Sequence, residues 1–325
     1  MVSEPISRDH RFRIEMTASC QDCAAIPKVP NAGQILTQGA ERVQIMHNGI
    51  RVLADGYDGG WMAEIITRLR GHHEPQEELV FHEVLRHLPP KATMIELGGS
   101  WAYYSLWFLH ENGETRRAIV VEPDPQNLAL GRTNAGLNNS RIEFVQASVG
   151  FENTPPRDFL TEHSGQIRIP KITVAKLLND YKIERLDLLH CDAQGAETDV
   201  LRSCMELLIS RRIQFCFIST HHHCITGDPL THQQCLALVK EAGGKILAEH
   251  DVHESFSGDG LIVAYFGNSQ LHWTSPQLSY NRYSQSLFRN PLYDLASLLS
   301  NSASSRHFRF KDLCRYFFRR LIGAL

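Results

Sequence analysis

The sequence has no run of about 18 uncharged apolar residues, so no membrane-spanning helix is expected. Its opening stretch, MVSEPISRDHRFRIEM, carries acids and has no apolar core of the kind a secretory signal needs, so a cytoplasmic protein is expected. A strong charge of either sign is missing too. The formal net charge is -3, which gives no global field for nucleic acid, and no nucleic-acid partner is expected. No segment recurs at a fixed period, which excludes a solenoid. The eight cysteines are scattered through strand and helix candidates, as at Cys191, Cys204 and Cys216, and suit reduced, buried thiols better than a disulfide framework. Cys20 and Cys23 form one CxxC without a second pair of ligands nearby, so a structural role is expected rather than a zinc site.

What is present is ordinary for a folded protein: 42% hydrophobic and 21% charged residues, in a chain long enough for one large domain or two modest ones. Residues 1–40 are polar and broken by Pro27, Pro30 and Gly33, and read as an irregular arm. Residues 41–90 read as a cap segment. A hairpin over Val43 to Ala54 turns at Asn48-Gly49, and helices follow over Trp61 to Leu69 and Pro75 to Leu88. Pro89 and Pro90 stop the second helix.

From there short apolar runs alternate with helical stretches. The runs are Thr93–Glu96, Ala118–Glu122, Arg141–Gln146, Leu186–Cys191 and Ile213–Ser219, with Lys245–Glu249 and Leu261–Phe266 closing the series without a helix between them. The stretch from the third run to about Pro170 reads as loose. This pattern predicts an α/β core over 91–267: a Rossmann-like, seven-stranded, mostly parallel sheet with helices on both faces and one antiparallel edge hairpin. Residues 268–325 read as a C-terminal helical extension. Its end, Arg306 to Leu325, is a basic amphipathic tail that suits either an anionic membrane surface, with the protein then peripheral to it, or docking on protein.

In such a sheet ligands bind beyond the carboxyl ends of the strands. Glu96-Leu-Gly-Gly-Ser100 lies at that end of the first core strand. Gly98 and Gly99 permit close backbone approach, and Glu96 is placed to accept from a cofactor ammonium or from a bridging water. Glu122 ends the next strand and is placed to accept both hydroxyls of a ribose. Ser148, with Gln146 as the alternative, follows the third strand, where adenine rests in such folds. The G-x-G-x-x-G spacing of dinucleotide enzymes is absent, which disfavours an NAD-dependent oxidoreductase.

The segments MIELGGSWAYYSLWF, VVEPDPQNL, DLLHCDAQGAE and STHHHCITGDP, in this order and spacing, resemble the FkbM family of S-adenosylmethionine-dependent methyltransferases. GHHEPQEELVF upstream and SYNRYSQSLFRNPLYDL downstream extend the resemblance over roughly residues 45–295. The resemblance implies a class I methyltransferase fold, S-adenosylmethionine bound by Glu96, Gly98, Gly99, Ser100, Glu122, Ser148 and Asp192, and transfer to a hydroxyl of a carbohydrate or secondary metabolite. Two departures stand out. The family loop E/D-x-G-x-G-x-G has Ser100 and Ala102 at its last two glycines here, and D-x-E-G reads Asp192-Ala-Gln194-Gly195. The second departure keeps a non-catalytic, cofactor-binding scaffold open as an alternative.

Methylating a hydroxyl needs alignment of the two reacting atoms and removal of a proton. Asp192 is the first candidate, as base, as positioner of the acceptor, as ligand of a divalent ion, or as a helix N-terminal partner. His221 and His223 share a side of an extended segment, so one is a candidate base, or the pair joins Asp192 at a metal. Glu197 is read as complementing a helix dipole or orienting a neighbour. His72, His73, Glu74, Gln76 and Glu77 either roof the pocket or begin a helix.

Overall fold

Along each central strand successive apolar side chains go to opposite faces of one sheet, and both faces are dry. Met94, Leu188, Phe215 and Phe217 join one buried cluster, while Ile95, Leu97, Leu189, Cys216 and Ile218 join the other. The computed structural model describes residues 8–39, 41–111, 115–281 and 286–287.

The N-terminal part comprises α1 (Arg8–Ser19), β1 (Ile35–Gln38), β2 (Glu41–Ile45), β3 (Arg51–Leu53), α2 (Gly60–Arg68) and α3 (Pro75–Arg86). β1, β2 and β3 make an antiparallel sheet. The expected hairpin is its β2–β3 pair, and Gly49, at φ 93°, makes the turn. The irregular arm is corrected: α1 and β1 are regular elements. α1 lacks a continuous apolar stripe and is held by α2 instead, through the His10–Trp61 ring stack at 5.0 Å and the Arg68–Glu15 ion pair at 2.7 Å.

The core follows as β4 (Thr93–Leu97), α4 (Tyr103–His110), β5 (Arg117–Val121), α5 (Pro125–Leu137), β6 (Ile142–Val145), β7 (Ser148–Val149), β8 (Thr154–Leu160), β9 (Gln166–Ile172), α6 (Val174–Asp180), β10 (Leu186–Cys191), α7 (Glu197–Ile209), β11 (Ile213–Thr220), α8 (His223–Thr226), α9 (Thr231–Glu241), β12 (Lys245–His250) and β13 (Gly260–Tyr265). The seven-stranded sheet has the order β12-β13-β11-β10-β4-β5-β6, parallel except for β13, which runs antiparallel to both neighbours. This is the Rossmann-like class I methyltransferase arrangement. The antiparallel β13 between β11 and β12 sets it apart from the dinucleotide order 3-2-1-4-5-6.

The loose stretch before Pro170 is also corrected. It contains a small sheet, β7-β9-β8, whose strand β8 carries Pro155 and Pro156 at a register shift between Thr154 and Arg157. Proline is tolerated there because the ladder is already interrupted. Residues 268–281 carry no helix or strand and are pinned to the N-terminal part, where the Gln76 amide donates to the Ser279 carbonyl at 2.7 Å and the Ser279 amide to Asp22 at 2.8 Å. The basic tail at 306–325 lies outside the described residues. No helix among the described residues is long and apolar enough to cross a membrane.

Candidate active site

Strand order reverses between β4 and β10, because β5 leaves β4 on one side and β11 leaves β10 on the other. The crevice of such a sheet opens there. Gly98 leaves β4 at φ 74°, and a Cβ on it would sit 1.8 Å from the Asp192 carbonyl oxygen. The Asp192 amide in turn donates to the Leu97 carbonyl at 2.9 Å. Glycine is thus required where the two loops meet. Ser100 and Ala102 adopt φ values of 37° and 63°, so the loop keeps a left-handed path although two of its residues carry a Cβ.

Both acidic strand ends are buried. Glu96 accepts the Ser105 amide at 3.0 Å from the first turn of α4, and burial pushes its carboxyl up to about 8. Glu122 accepts from the Ser100 and Asp124 amides at 3.0 and 2.9 Å, and burial pushes it up to about 7. Glu122 therefore ties the loop after β4 to the loop after β5. Asp124 caps α5 and accepts the His163 and Ser164 amides, which brings the β8–β9 turn to the same rim. Ser148 is buried in β7, where its hydroxyl donates to Pro170 at 3.4 Å; the Gln146 amide donates to Pro123 at 3.4 Å.

His221, at the end of β11, is 5% exposed and lies among three carboxylates. Nδ1 meets Glu197 at 2.6 Å, while Nε2 meets Asp192 at 3.1 Å and Asp259 at 3.6 Å. Burial opposes its charge, but Asp259, Asp192 and Glu197 outweigh burial and raise its pKa well above the usual histidine range. His221 is thus an ionic hub for these three carboxylates, and its raised pKa favours the imidazolium form. Glu197 holds its far nitrogen, also accepts the Gly195 amide at 3.0 Å, and is the orienting neighbour anticipated above.

The expectation that His221 and His223 share a side rests on an extended backbone through both. α8 starts at His223, so the strand alternation does not run through it, and its ring lies 4.0 Å from that of His222.

Asp259 was not found from sequence, since it sits in the polar link before β13 and only the antiparallel return of that strand brings it to His221. Burial pushes its carboxyl up to about 7, partly offset by His221. Glu78 was missed as well. It accepts the His73 and Glu74 amides at 2.7 and 3.1 Å, the His73 ring at 2.7 Å, and the His72 ring, so it acts as a buried cap of α3. Glu74 accepts the Tyr104 hydroxyl at 2.8 Å, Ser219 donates to Glu77, and Phe256 donates to the Gln76 amide oxygen at 2.8 Å. Residues 72–77 thus both begin a helix and bind that helix to the core. Burial disfavours charge on His73, but Glu74 and Glu78 outweigh it and hold its pKa up to about 10.

Cys20 and Cys23 are buried free thiols, with Cys20 pushed up to about 12 by burial, in line with a structural role.

Residues 89–246 match the model of the methyltransferase FkbM domain. No curated protein matches the chain. Among solved structures it is similar to precorrin-6y C5,15-methyltransferase from Geobacter metallireducens, at 15% identity over 58% of this chain and 88% of that one, with a TM-score of 0.38. It is also similar to methyltransferase FkbM from Methylobacillus flagellatus, at 14% identity over 63% of this chain and 54% of that one, with a TM-score of 0.42. A third is the N-terminal domain of human METTL16 in complex with SAH, at 13% identity over 60% and 71%, with a TM-score of 0.37. Residues 89–246 thus carry a methyltransferase FkbM domain.

Proposed function

We propose that this protein transfers a methyl group from S-adenosylmethionine to a hydroxyl of a carbohydrate or secondary metabolite, with its catalytic core in residues 91–267 and residues 41–90 as a cap. The observation that carries the reading is the carboxylate pair Asp192 and Asp259, both facing His221 at the sheet's switch point, beside the glycine loop.

The donor set suits the cofactor. Glu122 offers two carboxylate oxygens for a ribose, and Glu96 offers negative charge near an ammonium. Gly98, Gly99 and Ser100 supply backbone without bulk, and Ser148 lies at the edge for adenine. The bound cofactor supplies an electrophilic methyl carbon on a sulfonium. The protein's own residues do the rest. Asp192, fixed by His221, holds the acceptor hydroxyl in line, which is where most of the acceleration of such a displacement arises. Asp259 takes the hydroxyl proton. A base poised near neutral pH combines the unprotonated state with adequate proton affinity, and burial puts Asp259 in that range. His221 stays protonated throughout and keeps the two carboxylates from repelling one another. His223 has no part in this scheme.

The test is acceptor-dependent formation of S-adenosylhomocysteine across a panel of glycans and hydroxylated natural products. Asp192→Asn and Asp259→Asn are expected to lower turnover by about 10²-fold or more while cofactor binding persists. Wild-type turnover in either variant removes that residue from the chemistry, and no acceptor-dependent product from any hydroxyl class contradicts the proposed reaction.

A further inference from the structure

Directly downstream of the hub lies a second group of ligand-type side chains. His221 spends both ring nitrogens on Glu197 and Asp192. The next three side chains, His222, His223 and Cys224, form a separate group whose ligand atoms all lie within 4.8 Å of one another. We propose that these three residues bind a thiophilic divalent ion of the zinc or cobalt class.

The donors themselves select that class, since two imidazoles and one thiol suit borderline-soft transition metals and not magnesium or calcium, which take oxygen. Their local geometry favours convergence. His222 is the last extended residue, at φ -65° and ψ 152°, and α8 begins directly after it. This turn gathers three consecutive side chains on one rim, with the two rings 4.0 Å apart. His222 accepts the Cys224 amide on Nδ1 at 3.3 Å, a long cap that ligation through that nitrogen would exchange for a metal bond.

Access fits as well. Six of the seven described cysteines are buried, and Cys224 is the exposed one. The site therefore has a solvent side, through which an ion enters and a water completes the four-coordinate shell. Binding converts the Cys224 thiol to thiolate, forms the metal–sulfur bond and releases one proton to solvent, so affinity falls as pH is lowered. The ion would fasten α8 where it meets the loop after β10, since a Cβ on Gly195 would lie 3.5 Å from the Thr226 Cα. It would sit beside the proposed acceptor site without belonging to it, and the inference does not rest on the methyl-transfer reading.

The experiment is a cobalt titration of the full chain after chelator treatment, followed by thiolate-to-cobalt absorption in the near ultraviolet. One equivalent is expected to saturate the band. Cys224→Ser should abolish it, and His223→Ala should weaken binding by at least about tenfold, with thermal melts confirming that both variants fold. No band in the wild type, or a full band in Cys224→Ser, overturns the proposal. A readout on the unmodified chain stands beside it: zinc should protect Cys224 from alkylation, scored by mass spectrometry, and equal modification with and without zinc also overturns it.

Discussion

At the scale of single residues, the loop from Gly98 to Ala102 shows how a family signature can change in letters while its backbone path persists. Ser100 and Ala102 hold left-handed φ values that glycine takes without steric cost. We expect Ser100→Gly and Ala102→Gly each to raise stability by about 1 kcal/mol in urea denaturation. A loss of stability in both would show that their side chains earn the strain through contacts. Glu122 bears on pH. Burial raises its carboxyl to about 7, and a ribose partner acts best as a carboxylate, so cofactor affinity should rise as pH increases through that value. In Glu122→Gln the dependence should flatten, and a slope equal to wild type would place the titrating group elsewhere. Gly98, Glu122 and Asp192 were legible in the sequence because each follows directly on an apolar strand. Asp259 was not, because its neighbour His221 is reached only through the β12–β13 reversal, which no local pattern announces.

At the scale of elements, all seven strands of the large sheet stand near where the apolar runs put them, since a doubly covered strand announces itself as a short continuous apolar run. The elements missed have physical reasons. α1 is helical through its contacts with α2 and not through an apolar periodicity of its own. β8 contains two prolines that contradict a strand unless the ladder is interrupted, as it is. The start of α3 was ambiguous between roof and helix because it is both. Glu78 gathers two rings and two amides in a fully buried position, so Glu78→Ala should cost roughly 3–5 kcal/mol, the range for stripping one partner from a buried charged cluster. Glu78→Gln should cost less. Chemical denaturation decides, and a loss under about 1 kcal/mol would mean the cluster is not organised around this residue.

At the scale of the whole molecule, several buried groups shift in one direction. His73 is held up to about 10 in the fold against 6.5 unfolded, and Glu96 up to about 8 against 4.5. His221 is raised as well. In each case the folded chain retains protons that the unfolded chain releases. The stability these groups contribute is therefore complete below the unfolded values and is lost as pH climbs through the folded ones. Burial holds His47, His190 and His250 below the usual histidine range, and they act in the opposite sense only below about pH 6.5. Thermal melts should therefore show stability declining from about pH 7 toward pH 10, and Glu74→Gln should flatten the alkaline part by lowering the His73 pKa. A midpoint that rises across that range would contradict the assigned protonation states.

All of these features converge on one crevice at the switch between β4 and β10, and its occupant is the account's central claim. Isothermal titration calorimetry of the full chain with S-adenosylmethionine tests it most directly. The account predicts saturable one-to-one binding that Glu122→Ala weakens by at least about tenfold, the loss of a paired charge-assisted hydrogen bond. Absence of binding heat across temperatures, with a chain shown by its melt to be folded, would contradict it.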